Sequence, residues 1–364
     1  MSNLKVILSG GGTGGHIFPA IAIANALKLK NDAIDILFVG AKGKMEMEKV
    51  PNAGFPIIGL PITGFQRKLS DRRNLLFPFK LIYSLFKSFF IVLNFKPDVV
   101  VGTGGYASGP LLFVASKMGI PSLIQEQNSF PGITNKLLSK ISNKICVAYP
   151  SMDKFFPKEK LLFTGNPIRQ DLQEIAKLKE QALRHFKFDK SKITILVVGG
   201  SLGALTINKT MEKLVEKFPE GVQLLWQTGS SFYNIAFKKE AYDIRVMKFI
   251  SRMDLAYSIA DIVISRAGAS TISELCLVAK PSILVPSPNV AEDHQTKNAM
   301  ALKENKAAIL VTDKDSIKKL IPELEILIKD KDKRKTLSDN IYKLAKLNSA
   351  QIIADELLKL VVEK

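Results

Sequence analysis

Cysteine, tryptophan and histidine are scarce in this chain: two, one and three respectively among 364 residues. Cys146 and Cys276 lie far apart inside apolar runs, which excludes a disulfide framework and a cysteine-based zinc cluster. A reducing, cytoplasmic compartment is the default for such a chain. A long uncharged hydrophobic run is also missing. The stretch from Phe77 to Phe95 approaches membrane length, but Lys80 and Lys87 interrupt it, and a spanning helix needs about 20 predominantly apolar residues. The apolar run at residues 4–8 is too short for the core of a signal peptide. By these tests the chain is expected to be soluble. No repeat at solenoid spacing and no low-complexity segment is visible. Acidic residues are in deficit, 34 against 52 basic, for a net charge of +18. That balance favours polyanionic partners: nucleic acid, an anionic membrane surface or a phosphorylated ligand.

Short β-rich runs alternate with segments of helical periodicity along almost the whole length. Residues 4–8, 34–39, 98–102, 121–124 and 145–148 read as strands in the first half. Residues 193–198, 222–227, 244–249, 262–265, 282–285 and 308–311 read as strands in the second. Near-continuous apolar strands separated by helices predict an α/β fold of parallel sheets covered on both faces. At roughly 150 residues per domain the length suits two such doubly wound units. The expected division is 1–165, 166–342, and a C-terminal helix over 343–364 that packs back on the N-terminal domain, with Leu344, Leu347, Ile352, Leu357 and Val361 as its apolar positions. Charge is uneven, with 20 basic and 9 acidic residues in 1–165. Within 66–96, Arg67, Lys68, Arg72, Arg73, Lys80, Lys87 and Lys96 face one acid, Asp71, and interleave with many aromatic residues. This pattern fits an interfacial membrane helix; the competing reading buries Leu81, Leu85 and their helical neighbours in a core.

Four glycine-rich or small-residue turns follow strands. Residues 9–20 read Ser-Gly-Gly-Gly-Thr-Gly-Gly-His-Ile-Phe-Pro-Ala, and 101–110 read Val-Gly-Thr-Gly-Gly-Tyr-Ala-Ser-Gly-Pro. In the second half come Gly199-Gly200-Ser201-Leu202-Gly203-Ala204 and the run from Ser265 to Glu274. Glycine lets a backbone approach a ligand closely, and the helix that follows offers free N–H groups to an anion. A dinucleotide fingerprint also wants an acid at the end of the second strand; here Gly40-Ala41-Lys42 follows instead. No Gly-Lys-Ser/Thr ending is present, which argues against a Walker-type NTPase. Several such turns spread over both halves point to a phosphorylated ligand at the carboxyl ends of the strands. In the fourth turn the hydroxyls suit a diphosphate and Glu274 a ribose diol. Its bland alternative is a capping box on Ser270 or Thr271.

Six motifs then occur in order: Gly-Gly-Thr-Gly-Gly-His, Gly-Gly-Tyr-Ala-Ser-Gly-Pro, Gln-Glu-Gln-Asn leading to Gly-Ile-Thr-Asn, Thr-Gly-Asn-Pro-Ile-Arg, Gly-Gly-Ser-Leu-Gly-Ala and Asp-His-Gln-Thr-Lys-Asn-Ala. Together they resemble the MurG family of N-acetylglucosaminyltransferases over nearly the whole chain. The resemblance implies the GT-B architecture: two Rossmann-like doubly wound domains facing a cleft. It implies transfer of GlcNAc from UDP-GlcNAc to the MurNAc 4-hydroxyl of lipid I, an undecaprenyl diphosphate, with inversion to give lipid II. The alternative is a GT-B transferase with another lipid or small-molecule acceptor. The implied setting is the cytoplasmic face of the plasma membrane, held peripherally on an anionic surface, with no nucleic acid partner and no cofactor.

The same resemblance assigns candidate residues. His16 is the candidate base, or else a residue that orders its loop or binds an acceptor phosphate. Thr13, Gly14 and Gly15 would face the donor sugar and acceptor diphosphate, the latter also met by Gly104, Gly105 and Tyr106. Ser201 and Ala269, Ser270, Thr271, Ile272, Ser273 and Glu274 would hold UDP, with the Ile250 backbone on uracil. Gln295, with His294 nearby, would take sugar hydroxyls. Asn128 and Arg169 are further donor contacts, Arg169 alternatively an interdomain ion-pair partner. The pairs Asp313/Asp315 and Asp330/Asp332 sit in polar segments and read as solvated loop charge, so no metal is expected.

Overall fold

The computed structural model describes residues 4–64, 75–168, 172, 174–200, 203–290 and 293–362. Arg169 and Ser201 lie outside the described residues, as do Arg67, Lys68, Asp71, Arg72 and Arg73 of the basic cluster. The chain divides into two compact units, Met1–Arg169 with Leu347–Lys364, and Gln170–Lys346.

In the first unit the elements run β1 (Lys5–Ser9), α1 (Gly14–Lys30), β2 (Asp35–Ala41), α2 (Glu46–Asn52), β3 (Ile57–Leu60), α3 (Phe77–Phe95), β4 (Val99–Gly102), α4 (Ser108–Lys117), β5 (Ser122–Glu126), α5 (Ile133–Leu138), β6 (Lys144–Val147) and β7 (Leu161–Phe163). The seven strands pair in the order 3-2-1-4-5-6-7, all parallel. Because side chains alternate across a strand, Val6 and Leu8 face one layer with α1, while Ile7 faces the other with α3 and α4. Burial on both faces is why these strands read as unbroken apolar runs. The edge strands β3 and β7 escaped the sequence reading, being only partly buried and, in β3, carrying Gly59 within the run.

The second unit runs α6 (Lys179–Phe186), β8 (Ile193–Val198), α7 (Leu205–Glu216), β9 (Val222–Gln227), α8 (Tyr233–Ala236), β10 (Ile244–Met247), α9 (Met253–Ile259), β11 (Ile262–Ser265), α10 (Ala269–Val278), β12 (Ser282–Leu284), α11 (His294–Glu304), β13 (Ile309–Leu310), α12 (Ser316–Lys329) and α13 (Lys331–Tyr342). Its six strands are parallel, in the order 10-9-8-11-12-13. The lone tryptophan, Trp226, is buried in this sheet and donates its indole N–H to Asn208 Oδ1 at 3.0 Å. Both cysteines are buried, one in each unit, and burial pushes each thiol up to about 12.

The tail departs from a single helix over 343–364. The helix α14 (Ser349–Val362) starts after Asn348, which adopts a left-handed conformation with φ 60°. Leu344 packs on the core of the second unit, whereas Ala350, Ile353, Ala354 and Leu357 pack on α1 in the first. Lys30 and Asp355 add an ion pair at 2.7 Å. Covered by the sheet on one side and α14 on the other, α1 is apolar nearly all round.

The helix α3 is long and apolar enough to cross a membrane by length and composition. It packs on α4 through the small Ser84 and Ser88, with Ile91 and Val92 buried beyond them. Leu81 and Leu85 are partly buried against the same core. Phe79, Ile82, Tyr83, Phe86, Phe89, Phe90 and Leu93, spaced at three and four residues, stay exposed. Lys87 does not interrupt that outer face, because it turns inward and donates to the Gly59 carbonyl at 2.8 Å. One side of this helix is therefore core, and the other is an exposed apolar and aromatic face.

Ile353 of α14 is fully buried in the core that α14 shares with α1. Replacing it with alanine should cost about 2–5 kcal/mol in the unfolding of the first unit, measured by denaturant titration followed by circular dichroism. An unchanged midpoint would mean that α14 contributes no stability.

Candidate active site

In each unit the functional turns sit at the carboxyl ends of parallel strands, where the following helices begin. In the first unit the turn after β1 runs into α1, whose N-cap Thr13 is exposed and makes no side-chain cap. The Gly11 N–H is spent on the Gly104 carbonyl at 3.3 Å. The Gly12 N–H is spent on the Glu46 carboxylate, at 3.2 and 3.1 Å. Glu46 is wholly buried and also accepts from the Ala41 N–H at 2.9 Å. Thus an acid does arrive after the second strand, but from the first turn of α2, and it ties two backbone loops together. It leaves Thr13, Gly14 and Gly15 as the start of α1, where the first N–H groups of a helix have no helical acceptor and attract anions.

The turn after β4 is packed against this one. Gly105 has φ +88°, and a Cβ there would lie 2.3 Å from the Gly11 carbonyl oxygen. At Gly104 (φ +97°) a Cβ would come within 2.9 Å of the His16 ring. Tyr106, partly exposed, lays its ring beside Gly12 and Gly64. The imidazole of His16 is half-buried, with Nδ1 3.0 Å from the Thr103 carbonyl oxygen and 2.9 Å from Gln127 Oε1. His16, Gly104, Gly105 and Tyr106 are therefore brought together.

Asn128 lies at the end of β5, folded around a second buried acid. Glu126 accepts from the Asn128 N–H (3.0 Å) and Nδ2 (3.2 Å), the Gly132 N–H (3.1 Å) and Asn135 Nδ2 (2.9 Å). The Asn128 amide nitrogen is engaged in this way, so its carbonyl is the group left for a ligand.

In the second unit, α10 is capped by Gly268 with no side-chain cap bond, and the Ile272 N–H is the first to reach back to Gly268. A capping box on Ser270 or Thr271 is not formed, since both lie within the helix. Ser273 bonds back to the Ala269 carbonyl at 3.0 Å. The Ser270 hydroxyl is buried without a hydrogen-bond partner among the described residues. One turn further, the Glu274 carboxylate accepts from Tyr257 Oη at 3.0 Å. Gln227, at the end of β9, joins two neighbouring turns. It donates to the Gly200 carbonyl at 3.2 Å and accepts from the Ile250 N–H at 2.8 Å. The Ile250 N–H is occupied, which leaves its carbonyl. The Gln295 side-chain oxygen accepts from the Ser287 N–H at 2.9 Å, leaving its NH2 to donate. Before it, Asp293 holds a left-handed φ of 49° and accepts from Thr296 Oγ1 at 2.7 Å.

Asp313 departs from the solvated-charge expectation. It is mostly buried, pairs with Arg266 of the fourth turn and accepts from Thr206 Oγ1 at 2.9 Å. Arg266 also donates to the Val285 and Pro286 carbonyls, each at 3.1 Å. Among the described residues no group of three or more His, Cys, Asp or Glu could hold a metal ion. Glu46, Gln127, Gln227 and Tyr257 were not singled out from the sequence. Two carried a signal: Glu46, as an acid at the start of the helix after the second strand, and Gln127, as a member of the Gln-Glu-Gln-Asn motif.

Two doubly wound parallel-sheet units, each with small-residue turns at its strand ends, define the GT-B class of fold. Family comparison gives the same class: a glycosyltransferase family 28 N-terminal domain matches residues 6–147 and a family 28 C-terminal domain matches 194–357. The chain belongs to glycosyltransferase family 28. It is 53% identical over 373 residues, covering all of both chains, to the UDP-N-acetylglucosamine–N-acetylmuramyl-(pentapeptide) pyrophosphoryl-undecaprenol N-acetylglucosamine transferase of Parabacteroides distasonis. To the transferase of that name from Flavobacterium psychrophilum it is 55% identical, covering 99% of each chain. The crystal structure of Acinetobacter baumannii MurG superposes with a TM-score of 0.75 at 27% identity, over 98% of this chain and 99% of that one.

Gly105→Ala tests the packed glycine turns. The backbone clash with Gly11 and the left-handed φ should destabilise the fold by about 1–3 kcal/mol, read as a lowered thermal midpoint. A midpoint equal to that of the unmodified chain would contradict the described contact.

Proposed function

We propose that the chain transfers GlcNAc from UDP-GlcNAc to the 4-hydroxyl of the MurNAc unit of lipid I, giving lipid II with inversion at the sugar's C1. Full-length identity above 50% to transferases whose names state this donor and acceptor carries the reading. The site supports it chemically. In the first unit His16 acts as general base on the acceptor hydroxyl. The N–H groups at Thr13, Gly14 and Gly15, with Gly104, Gly105 and Tyr106, receive the acceptor diphosphate. In the second unit the start of α10, from Ala269 to Ser273, receives the UDP diphosphate, where its dipole and the Ser270 hydroxyl offset the leaving charge. Glu274, oriented by Tyr257, takes the ribose diol; Ile250 meets the base through its carbonyl, and Gln295 donates to a sugar hydroxyl. Asn128 is a further donor contact. As O4 attacks, its proton passes to the imidazole, the C1–O4 bond forms and the C1–phosphate oxygen bond breaks, releasing UDP. The reaction is assigned no metal and no cofactor.

Acceptor-dependent release of UDP in the presence of EDTA tests this assignment. His16→Ala should lower kcat by about 10²–10⁴-fold while UDP binding persists. Release that ignores a lipid I analogue but answers to another acceptor would move the chain to a different transferase reaction. Loss of release on adding EDTA would overturn the metal-free mechanism.

The membrane assignment rests on α3. Its exposed aromatic face suits the headgroup boundary of a bilayer, and basic residues add about 1 kcal/mol each near an anionic surface. The reading places the enzyme peripherally on the cytoplasmic face of the plasma membrane, with that surface rather than nucleic acid as its polyanion. The double variant Phe86→Ser/Phe90→Ser should lose flotation with anionic vesicles while turning over a soluble acceptor normally. Undiminished flotation would exclude α3 as the anchor.

A further inference from the structure

We propose that Gln127 fixes the proton of His16 on Nδ1, as the last member of a relay of buried amides; the inference rests on the reading of His16 as the base. Gln127, Gln125, Asn166 and Thr103 are all buried. An isolated amide or imidazole can be placed either way round, but here each orientation forces the next. The Gln127 backbone carbonyl can only accept, so the Asn166 atom 3.1 Å from it is Nδ2. Asn166 Oδ1 then faces Gln125, whose Nε2 donates to it at 3.1 Å. That turns Gln125 Oε1 toward Gln127, whose Nε2 donates to it. The same nitrogen donates to the Thr103 carbonyl at 2.7 Å and the Gln125 carbonyl at 3.1 Å. With three acceptors around its nitrogen, the Gln127 amide cannot turn over, and its oxygen must point at His16.

Nδ1 of His16 thus meets two oxygens, Gln127 Oε1 at 2.9 Å and the Thr103 carbonyl at 3.0 Å, and neither can donate to it. Nδ1 therefore carries the N–H. A neutral imidazole has one such proton, so the lone pair lies on Nε2, which has no partner among the described residues. The carboxylates on neighbouring segments are committed elsewhere: Glu46 to Gly12 and Ala41, Glu126 to Asn128, Gly132 and Asn135. The orienting partner is consequently a neutral amide, which avoids burying a charge beside the base. Gln127 is a positioning residue, acting on the acceptor only through His16.

The test uses the full-length protein labelled with 15N-histidine. With three histidines in the chain, His16→Ala assigns the signals of His16, whose nitrogen shifts report which ring nitrogen is protonated. Without substrate, the wild type should show the Nδ1–H form near neutral pH. Gln127→Met, similar in size but without an acceptor, leaves the Thr103 carbonyl as the one oxygen at Nδ1; the Nε2–H form should then appear beside the Nδ1–H form and kcat should fall about twofold or more, with KM for UDP-GlcNAc within about twofold. A wild type protonated on Nε2 would overturn the proposal. So would a folded Met variant with wild-type tautomer and kcat. The tautomer is read without turnover, so the two assignments separate. A tautomer that follows residue 127 while His16→Ala stays active sustains the relay and removes His16 as base. An inactive His16→Ala, together with a His16 tautomer that stays the same when residue 127 is changed, does the reverse.

Discussion

In a parallel sheet every strand ends on the same edge, and every helix that follows begins there. This constraint gathers unpaired N–H groups and the positive ends of helices along one rim of each unit. The rest of the chemistry depends on it. Tight turns are needed to pass from strand to helix, and small residues are needed to let neighbouring turns touch, as Gly105 does with Gly11. The rim thereby acquires anion-binding capacity before any particular side chain is considered.

What the side chains add is commitment. Glu46 satisfies Gly12 and Ala41, Glu126 satisfies the turn from Asn128 to Gly132, and Gln227 bridges the turns at Gly200 and Ile250. Each removes hydrogen-bonding groups from competition and leaves a defined remainder: the start of α1, the Asn128 carbonyl, the Ile250 carbonyl. Selectivity follows from which groups are left unpaired as much as from which are present. The two units solve this alike, with buried polar side chains beneath the rim and small residues on it.

The sheets were legible in the sequence because strands buried on both faces leave unbroken apolar runs; all six strands of the second unit could be placed this way. The edge strands β3 and β7 were not, for both are only partly buried, β3 is broken by Gly59 and β7 ends on the exposed Phe163. The start of the tail helix misled for a different reason. Leu344 and Leu357 share a helical period but serve cores in different units, with a left-handed Asn348 between them. Of the site, the glycine turns and His16 stood out locally. Their supports did not, because Glu46 lies 34 positions from Gly12 and Gln127 lies 111 from His16. An ordinary Gln between a Glu and an Asn carries no mark of what it will orient. Asp313 looked like loop charge for the same reason, since its partner Arg266 is 47 positions away.

Product chemistry tests the central claim most directly. The chain would be incubated with UDP-GlcNAc carrying 13C at C1 and a lipid I analogue, and the product examined by mass spectrometry and NMR. The account predicts one added N-acetylhexosamine, β-linked to O4 of the MurNAc unit, with UDP formed in equal amount. An α-linked product, or free GlcNAc with the acceptor unchanged, would contradict it.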